Sequence, residues 1–199
     1  MHKSGEFKSR EMTEKKLIII TAPSGAGKTS ITRHLLAKFP KLSFSISATT
    51  REKRSFEREG VDYHFLSSEA FQEKITNQEF VEWEMVYEGR YYGTLKSELQ
   101  RIWEEGRIPV LDIDVKGAIH VQQQYTQSAL SIFVDPPSVE ELRKRLLSRG
   151  TETGKSLQDR INKASYEISF KQHFDRIIVN MDLEQAFALA DQIIEGFVN

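Results

Sequence analysis

Hydrophobic and polar positions follow two alternating periods along this chain, which predicts strands that alternate with helices. Short apolar runs predict strands over Leu17–Thr21, Phe44–Ser47, Ile108–Asp114, Ala129–Val134 and Arg176–Asn180. Apolar residues three and four positions apart predict helices over Thr29–Phe39, Lys116–Gln124, Val139–Ser148, Ser156–Lys171 and Leu183–Phe197. This order is typical of an α/β fold, in which helices flank a parallel sheet.

Two stretches interrupt the alternation. Between Gly60 and about Thr94 the pattern predicts a strand over Asp62–Leu66, a helix over Ser68–Thr76, a strand over Phe80–Tyr87 and then a turn in "EGRYYGT". We expect these residues to form a small inserted α+β lobe. The polar, glycine-containing segment "SRGTETGKSLQDR" at 148–160 is typical of a mobile lid.

Composition narrows the class of protein. The chain has 199 residues, a net charge of −1 and no cysteine. The near-neutral charge argues against bulk nucleic-acid binding. Apolar runs stay well below the roughly 20 residues of a membrane-spanning helix, so we expect no membrane role. Residues 1–15 are polar without a signal-like apolar run, so we expect a flexible tail and a cytoplasmic protein. Whether it forms a homo-oligomer is left open.

The first apolar run leads into a loop with glycines, a lysine and a threonine, "LIIITAPSGAGKTSITRHLL". This is the phosphate-loop pattern with alanine in place of the first glycine. Glycines let backbone N–H groups converge on phosphate oxygens, the lysine adds a point charge, and the hydroxyl can ligate Mg²⁺. A glycine-rich turn capped by threonine is the alternative, but the flanking strand and helix favour a nucleoside triphosphate. The candidate residues are Ala22, Pro23, Ser24, Gly25, Ala26, Gly27, Lys28, Thr29 and Ser30, with Thr29 also the candidate metal ligand.

Further candidate residues follow the later strands. Arg51 and Arg54 stand three apart beyond a predicted strand, where two guanidinium groups can clamp a second anion. Asp112 and Asp114 end an apolar strand; they can serve a site, hold the water shell of a metal, or cap the next helix. The remaining candidates are Ser47, Tyr63, Glu82, Tyr92, Thr94, Arg145, Arg149 and Arg160.

These later candidates also have ordinary structural interpretations. Glu82 can be a plain strand residue beside Trp83. Arg145 and Arg149 lie four apart and share a helix face, which fits a convergent site or a solvated stripe. The spacing of these residues alone therefore does not decide between a site and a surface.

An ordered series of motifs resembles the guanylate kinases, from about Lys16 to the C-terminus. The series is "SATTREKR", "GVDYHF", "FVEW", "YYGT", "LDID", "PPS" and "RGTET". The resemblance implies a P-loop α/β kinase that transfers a phosphoryl group from ATP, with Mg²⁺, to GMP. It also implies a core (16–50, 95–146 and 173–199), a GMP-binding lobe (51–94) and a lid (147–172), which we expect to close over both substrates.

The resemblance assigns roles residue by residue. The positions that match contacts to the guanine base are Ser47, Glu82, Thr94 and Asp112. Those that match contacts to the GMP phosphate are Arg51, Arg54, Tyr63 and Tyr92. Asn180 matches a position near the adenine of ATP. The implied catalytic residues are Lys28, Arg51, Arg145, Arg149 and Arg160, of which the last three match the lid arginines that reach the transferring phosphoryl.

The chemistry of these residue types agrees with the implied reaction. A carboxylate such as Glu82 can accept both the N1–H and the 2-amino group of guanine, which adenine does not present together. ATP and GMP bring roughly six negative charges, one Mg²⁺ offsets about two, and the lysine and arginines can offset the rest. The acceptor phosphate is already ionised, so no general base is needed.

The chain departs from the family pattern at four places. Lys116 stands where the family commonly has glutamine. Ala22 replaces a glycine, which costs little if its φ is not positive. The segment "REKRSFERE" lacks the usual proline and glycine near its two arginines, so its stiffness can differ. The segment "VYEGRYYGT" is one residue longer than usual. Two rivals stay open: a scaffolding module of this fold that binds phosphorylated peptides, and a kinase for adenylate or thymidylate.

Overall fold

A five-stranded parallel sheet forms the centre of the protein in the computed structural model, which describes residues 15–148 and 154–198. Its strands lie in the order β2 (Leu42–Phe44), β7 (Ile108–Asp112), β1 (Leu17–Thr21), β8 (Ala129–Asp135) and β9 (Arg176–Val179). Every neighbouring pair is parallel, which confirms the predicted α/β class. The carboxyl ends of the strands therefore meet at one edge, where open α/β sheets bind ligands.

Helices cover both faces of this sheet. Alternate residues of β1 point to opposite faces, and all are fully buried. Ile18 and Ile20 belong to the core on the side of α1 (Lys28–Lys38) and α7 (Leu183–Val198). Leu17 and Ile19 belong to the core on the side of α3 (Lys96–Glu104) and α4 (Val115–Gln124). Burial on both faces explains why β1 is continuously apolar.

A second sheet occupies the predicted insertion, and it also includes residues 48–49, which the expected core boundary (16–50) wrongly assigned to the core. Its strands lie in the order β4 (His64–Phe65), β3 (Ala48–Thr49), β6 (Arg90–Leu95) and β5 (Phe80–Tyr87), with α2 (Ser68–Thr76) beside them. The Phe71 ring of α2 stacks on Phe80 with centroids 4.4 Å apart. The Ser67 hydroxyl caps α2 by accepting from the Ala70 N–H at 3.1 Å. The lobe thus has a small core of its own.

Four predicted elements have the predicted bounds: β1, α2, β5 and α5 (Val139–Ser148). The predicted strand Phe44–Ser47 is wrong beyond its first residue, because β2 ends at Phe44. After it the Ser45 N–H still reaches the Val110 carbonyl at 2.9 Å, but the Ile46 N–H donates to the Glu98 carboxylate at 3.1 Å. The chain crosses here from the central sheet to the lobe.

The predicted turn "EGRYYGT" is also wrong over most of its length, because β6 begins at Arg90. Only Glu88 and Gly89 form the turn, since Tyr87 pairs with Arg90 across the hairpin. Gly89 has a φ of 68°, in the left-handed region that glycine adopts without steric cost. The run of aromatic residues after the glycine favours a strand, and that signal outweighs the polar start of the segment.

Sequence analysis missed α3 entirely. Leu99 and Ile102 are fully buried on its inner face, and Trp103 packs beside them. Their spacing of three and four is the ordinary helical signal, so the pattern was sufficient to predict this helix. The missed β3 has only two residues, too few for a period to show.

Helix caps decide several element ends. β7 ends before Asp114 because that carboxylate caps α4, accepting from the Gly117 N–H at 2.8 Å.

The helix α6 (Gly154–Ile168) begins earlier and ends earlier than predicted, and a 3₁₀ turn follows at Lys171–His173. Residues 149–153, which include Arg149 and part of the glycine-containing segment 148–160, lie outside the described residues. Within the described part of the chain, each helix is too short or too polar to span a bilayer.

Candidate active site

The glycine loop connects β1 to α1 at the carboxyl edge of the sheet. Gly25 and Gly27 both have left-handed φ values, 94° and 103°. Ala22 is not among the described residues with positive φ, so its methyl group causes no backbone strain. The amino end of α1 follows the loop directly, which presents its unpaired N–H groups and positive dipole end to an anion. This is the geometry of a phosphate-binding loop.

Asn180 contacts the glycine loop through its side chain. Its side chain is buried, and its Nδ2 donates to the Ala26 carbonyl at 2.7 Å. A Cβ atom at Gly27 would collide with the same amide, so this position requires glycine. The Arg145 guanidinium donates to the Asn180 carbonyl at 3.0 Å and lies 3.3 Å from the Glu141 carboxylate. Both residues therefore lie at the loop, and their described contacts are with the protein; their roles toward ATP stay predictions.

A cleft of about 480 Å³ opens above the loop. It is lined by loop residues and by side chains from the lobe and from α6: Ala22, Pro23, Ser24, Gly25, Gly27, Lys28, Thr29, Ser30, Arg54, Tyr63, Tyr92, Asp114, Arg160, Lys163 and Glu167. Ala26 is the one predicted loop residue that does not line the cleft, because it is fully buried. The structure thus brings most of the predicted phosphate-binding residues to one cavity.

A second cavity of about 200 Å³ continues from the first toward the lobe. The two share Lys28, Tyr63, Tyr92 and Asp114 in their linings. The rest of the second lining is Ser47, Glu82, Glu84, Val86, Gly93, Asp112 and Ile113. The position of Ser47 here follows from the crossing after β2, not from a strand.

Glu82 is the most deeply placed charged group of this cavity. It is 5 % exposed, and its Oε1 accepts from the Thr94 hydroxyl at 2.6 Å. The two residues face each other across the β5–β6 pair. Burial raises the pKa of Glu82 to about 7, the Thr94 hydrogen bond opposes the shift, and the nearby carboxylates Asp114 and Glu84 add to it.

The extra residue in the β5–β6 hairpin does not disturb this pair. The strand register runs regularly from the Glu82–Thr94 pair to Met85–Tyr91, and then shifts by one before Tyr87–Arg90. The shift is a β-bulge, which absorbs one additional residue locally. The bulge falls at Val86, which lines the second cavity, and it leaves the Glu82–Thr94 pair in register.

Lys28 links the two cavities. Its Nζ lies 2.5 Å from Oδ1 of Asp112 and donates to the Ile113 carbonyl at 3.3 Å. Ile20 of β1 and Asp112 of β7 are register partners, so the start of α1 and the end of β7 are neighbours. The two predicted site residues are thus paired with each other in the ligand-free protein.

Arg54 lies at the lobe side of the site, whereas Arg51 lines neither cavity and lies against Tyr63, which lines both. Arg54 lines the loop cleft, and Arg51 stacks on Tyr63 with Cζ 4.8 Å from the ring centre. Glu57 binds Arg51 through two contacts of 2.7 and 2.5 Å. Sequence analysis did not single out Glu57, and only its proximity to two arginines in sequence could have suggested it.

Two other residues of the cleft were missed, Lys163 and Glu167. Both lie on α6 with Arg160, at spacings of three and four that place them on one helix face. The Nζ of Lys163 lies 3.9 Å from Glu167, and burial raises the pKa of this carboxyl. Helical spacing from Arg160 was the available signal.

Groups of three or more metal-binding side chains do not occur in the described ranges.

The buried Glu82 predicts a pH dependence of stability. Its pKa rises from 4.5 in the unfolded chain to about 7, so the folded state binds the extra proton between these values. Its stabilising contribution is complete below pH 4.5 and is lost as pH rises through 7, by about 1.4 kcal/mol per unit at most. Urea denaturation from pH 5 to 9 should show this loss in the wild type but not in Glu82→Gln. Equal slopes in both proteins would contradict it.

Comparison with known proteins agrees with this geometry. A family profile described as guanylate kinase matches residues 14–196. A guanylate kinase of Bacteroides thetaiotaomicron is 49% identical over 98% of this chain and 95% of its own. One from Porphyromonas gingivalis is 48% identical over 92% of this chain and 98% of its own. The crystal structure of guanylate kinase from Anaplasma phagocytophilum matches with a TM-score of 0.72 and 30% identity, over 91% of this chain and 85% of that one. The chain belongs to the guanylate kinase family.

Proposed function

We propose that this protein transfers the γ-phosphoryl group of ATP to GMP, yielding ADP and GDP. The observation that carries the proposal is the continuity of two cavities. One contains the glycine loop, and the other ends at the buried Glu82–Thr94 pair. Two nucleotides bound in this way would meet near Lys28, which lines both cavities. The family relatives named guanylate kinase support the same reaction.

Glu82 is the residue that is proposed to recognise the guanine base. Its ionised carboxylate accepts the N1–H and the 2-amino group together, and Thr94 holds one of its oxygens in place. Adenine offers a bare acceptor at N1, which would leave a buried carboxylate unpaired and costs binding. Ser47 and Asp112 line the same cavity and complete the proposed base contacts. Because the proton must leave Glu82 before guanine binds, GMP binding weakens below about pH 7.

The GMP phosphate is held at the boundary of the two cavities. Arg51 and Arg54 supply charge, while Tyr63 and Tyr92 supply hydroxyl donors and line both cavities. Burial raises the pKa of Tyr63, so its phenol stays protonated and able to donate. Phosphoryl transfer needs in-line alignment and positive charge more than covalent chemistry.

ATP occupies the glycine-loop cleft, with its phosphates on the backbone N–H groups of the loop and on Lys28. Mg²⁺ fits this site because the Thr29 hydroxyl lies at the first turn of α1, on the lining of the cleft, with Asp114 opposite the loop in the same cavity. Mg²⁺ bound with ATP would offset phosphate charge. Asp114 caps α4 through Oδ1, and its carboxylate could hold the water shell of the ion. Arg145, Arg149 and Arg160 are the proposed lid arginines that stabilise the transferring phosphoryl.

Residues 51–94 form the proposed GMP lobe and residues 147–172 the proposed lid of a three-part kinase that closes over both substrates. The same site would accept dGMP, since the proposed contacts are to base and phosphate. We place the enzyme in the cytoplasm, in the supply of guanine nucleotides.

A coupled assay of ADP release tests the proposal. ATP and Mg²⁺ are supplied with GMP, dGMP, AMP, dTMP, UMP or CMP in parallel reactions. Turnover with guanine nucleotides alone is expected. Turnover with AMP or dTMP would reject the guanine assignment. A folded protein that binds GMP without turnover would instead support a phosphopeptide-binding module.

A substitution at Gly117 tests the guanine site while Glu82 itself is left unchanged. A Cβ atom at this position would lie 2.7 Å from Oε2 of Glu82. Gly117→Ala should therefore displace the carboxylate and raise the KM for GMP roughly 10- to 100-fold. The KM for ATP should rise less, although the same Cβ atom would lie 3.2 Å from Oδ1 of Asp114 at the loop cleft. Gly196→Ala is the matched control, because it also lies in a helix and has open space at its Cβ. An unchanged KM in Gly117→Ala would contradict the placement of Glu82.

A further inference from the structure

Glu57 is a buried carboxylate to which the proposed reaction gives no role. It is 7 % exposed, although it lies in the polar segment between β3 and β4. Its Oε2 accepts from Nη1 of Arg51 at 2.7 Å, and its Oε1 accepts from Nη2 at 2.5 Å. This bidentate pair is the strongest geometry that a guanidinium and a carboxylate can form. It holds the pKa of Glu57 at about 2, so the group stays ionised.

One edge of the Arg51 guanidinium is used neither by Glu57 nor by the Glu52 carbonyl. A guanidinium has five N–H donors in a fixed fork. Glu57 takes one from each Nη, and the Glu52 carbonyl takes a second from Nη1 at 3.0 Å. The two that remain, Nε–H and the second Nη2–H, point along one edge, the arrangement that binds two phosphate oxygens. Tyr63 and Tyr92 both interact with this guanidinium, so the proposed phosphate donors are gathered around it.

Glu57 also shapes the chain between the two arginines. Its Oε2 accepts from the Arg54 backbone N–H at 2.9 Å, and its own N–H donates to the Arg54 carbonyl at 3.0 Å. One side chain therefore ties together the guanidinium of Arg51 and the backbone of Arg54.

We infer that Glu57 is a positioning residue for the GMP phosphate, which orients Arg51 so that its Nε–Nη2 edge faces the phosphate oxygens. The inference rests on the proposed function, since it needs GMP as the second substrate. The opposite role is that Glu57 competes with the phosphate for Arg51. The two roles predict opposite signs: loss of a positioning carboxylate weakens GMP binding, and loss of a competitor strengthens it.

The first experiment compares the wild type, Glu57→Gln and Glu52→Gln in steady-state kinetics. Both substitutions remove one negative charge from the same segment, but the Glu52 side chain is exposed and Arg51 contacts only its carbonyl. For Glu57→Gln we expect the KM for GMP to rise roughly 10- to 100-fold, with the KM for ATP unchanged and kcat altered less. For Glu52→Gln we expect wild-type values. An unchanged or lowered KM for GMP in Glu57→Gln would overturn the inference.

A double-mutant cycle with Arg51→Lys shows whether Glu57 acts through Arg51. Lysine cannot form the bidentate pair, so Glu57→Gln should add little to the KM for GMP in that background. Full additivity would overturn the positioning role. Thermal melts of each variant reveal a folding defect. If Glu57→Gln does not fold, Glu57→Asp, which keeps the charge but shortens the reach, carries the same test and should raise the KM for GMP to a smaller extent.

The outcomes separate this inference from the proposed function. A wild type without GMP phosphorylation would reject the proposed function itself. An active wild type and an equally active Glu57→Gln would reject only the positioning role. A parallel rise in both KM values would show that Glu57 supports the site in general, and would likewise overturn a role specific to the GMP phosphate.

Discussion

Lys28→Ala is expected to reduce ATP-dependent GMP phosphorylation by at least roughly 10³-fold, while the protein remains folded. Among the described residues, Lys28 is the one lysine that lines both cavities, and its ammonium lies where the phosphates of the two nucleotides would meet. Its contacts with Asp112 and Ile113 are at the partly exposed floor of the site, so their loss should change the free energy of unfolding little. Coupled ADP release measures the activity, and circular dichroism with thermal melting measures the fold.

The matched control for this prediction is Lys38→Ala. Lys38 lies in the last turn of the same helix, and it is also paired with carboxylates, those of Asp191 and Glu195. Its removal costs the same charge without touching either cavity. Wild-type turnover is expected in this variant. Substantial activity in Lys28→Ala, or an equal loss in Lys38→Ala, would remove Lys28 from the proposed catalytic set.

Glu82→Gln is expected to lower kcat/KM for GMP by roughly 10³-fold or more, with ATP binding unchanged. A glutamine amide presents one acceptor and one donor group, so it cannot accept both guanine donors, and its NH₂ would face one of them. The discrimination between GMP and AMP should fall as well, because the buried carboxylate that adenine would leave unpaired is no longer present. The measurement is steady-state kinetics with each acceptor, together with calorimetric titration of ATP.

Glu84→Gln is the matched control for this second prediction. Glu84 lies two residues along the same strand, on the same side, and lines the same cavity. It is only half-buried. Among the described residues, its carboxylate makes no hydrogen bond to the neighbouring strand. Its substitution should change kcat/KM for GMP far less. Equal losses for GMP and ATP in Glu82→Gln would contradict a base-reading role.

The Glu82 carboxylate should lower the free energy of unfolding at high pH, although the proposed guanine binding depends on it. Above pH 7 the folded protein carries a buried negative charge at Glu82 whose pKa is raised by burial. Neutral glutamine removes that cost, so the variant expected to lose guanine selectivity is also expected to be the more stable one at high pH. Such a trade is typical of functional sites, where a poorly solvated group is kept for the ligand it will meet.

The sequence by itself determined the class of fold and the donor site. Continuous apolar runs predict strands that are buried on both faces, and the central sheet is parallel as predicted. The glycine loop was evident because its chemistry is local: glycines, lysine and threonine must be adjacent in sequence to surround one phosphate group. The helices α2 and α5 were predicted with their bounds for the same reason, because helix caps and helical periodicity depend on residues that are close together in sequence.

Only the tertiary structure decided which side chains meet. Glu82 and Thr94 are twelve residues apart, and their hydrogen bond depends on the register of β5 and β6. The pairing of Lys28 with Asp112 depends on β7 lying beside β1, and the contact of Asn180 with the loop spans 154 residues. No periodicity encodes such contacts.

Burial is the other property that the sequence could not supply. The raised pKa of Glu82 exists because the lobe and the core exclude water from one cavity, and the same sequence in an exposed strand would carry an ordinary carboxylate. Glu57 is likewise a polar residue in a polar segment until the fold turns it against Arg51. Local chemistry thus indicated what the protein binds, whereas the distances and desolvation that make binding selective arise only when distant segments pack together.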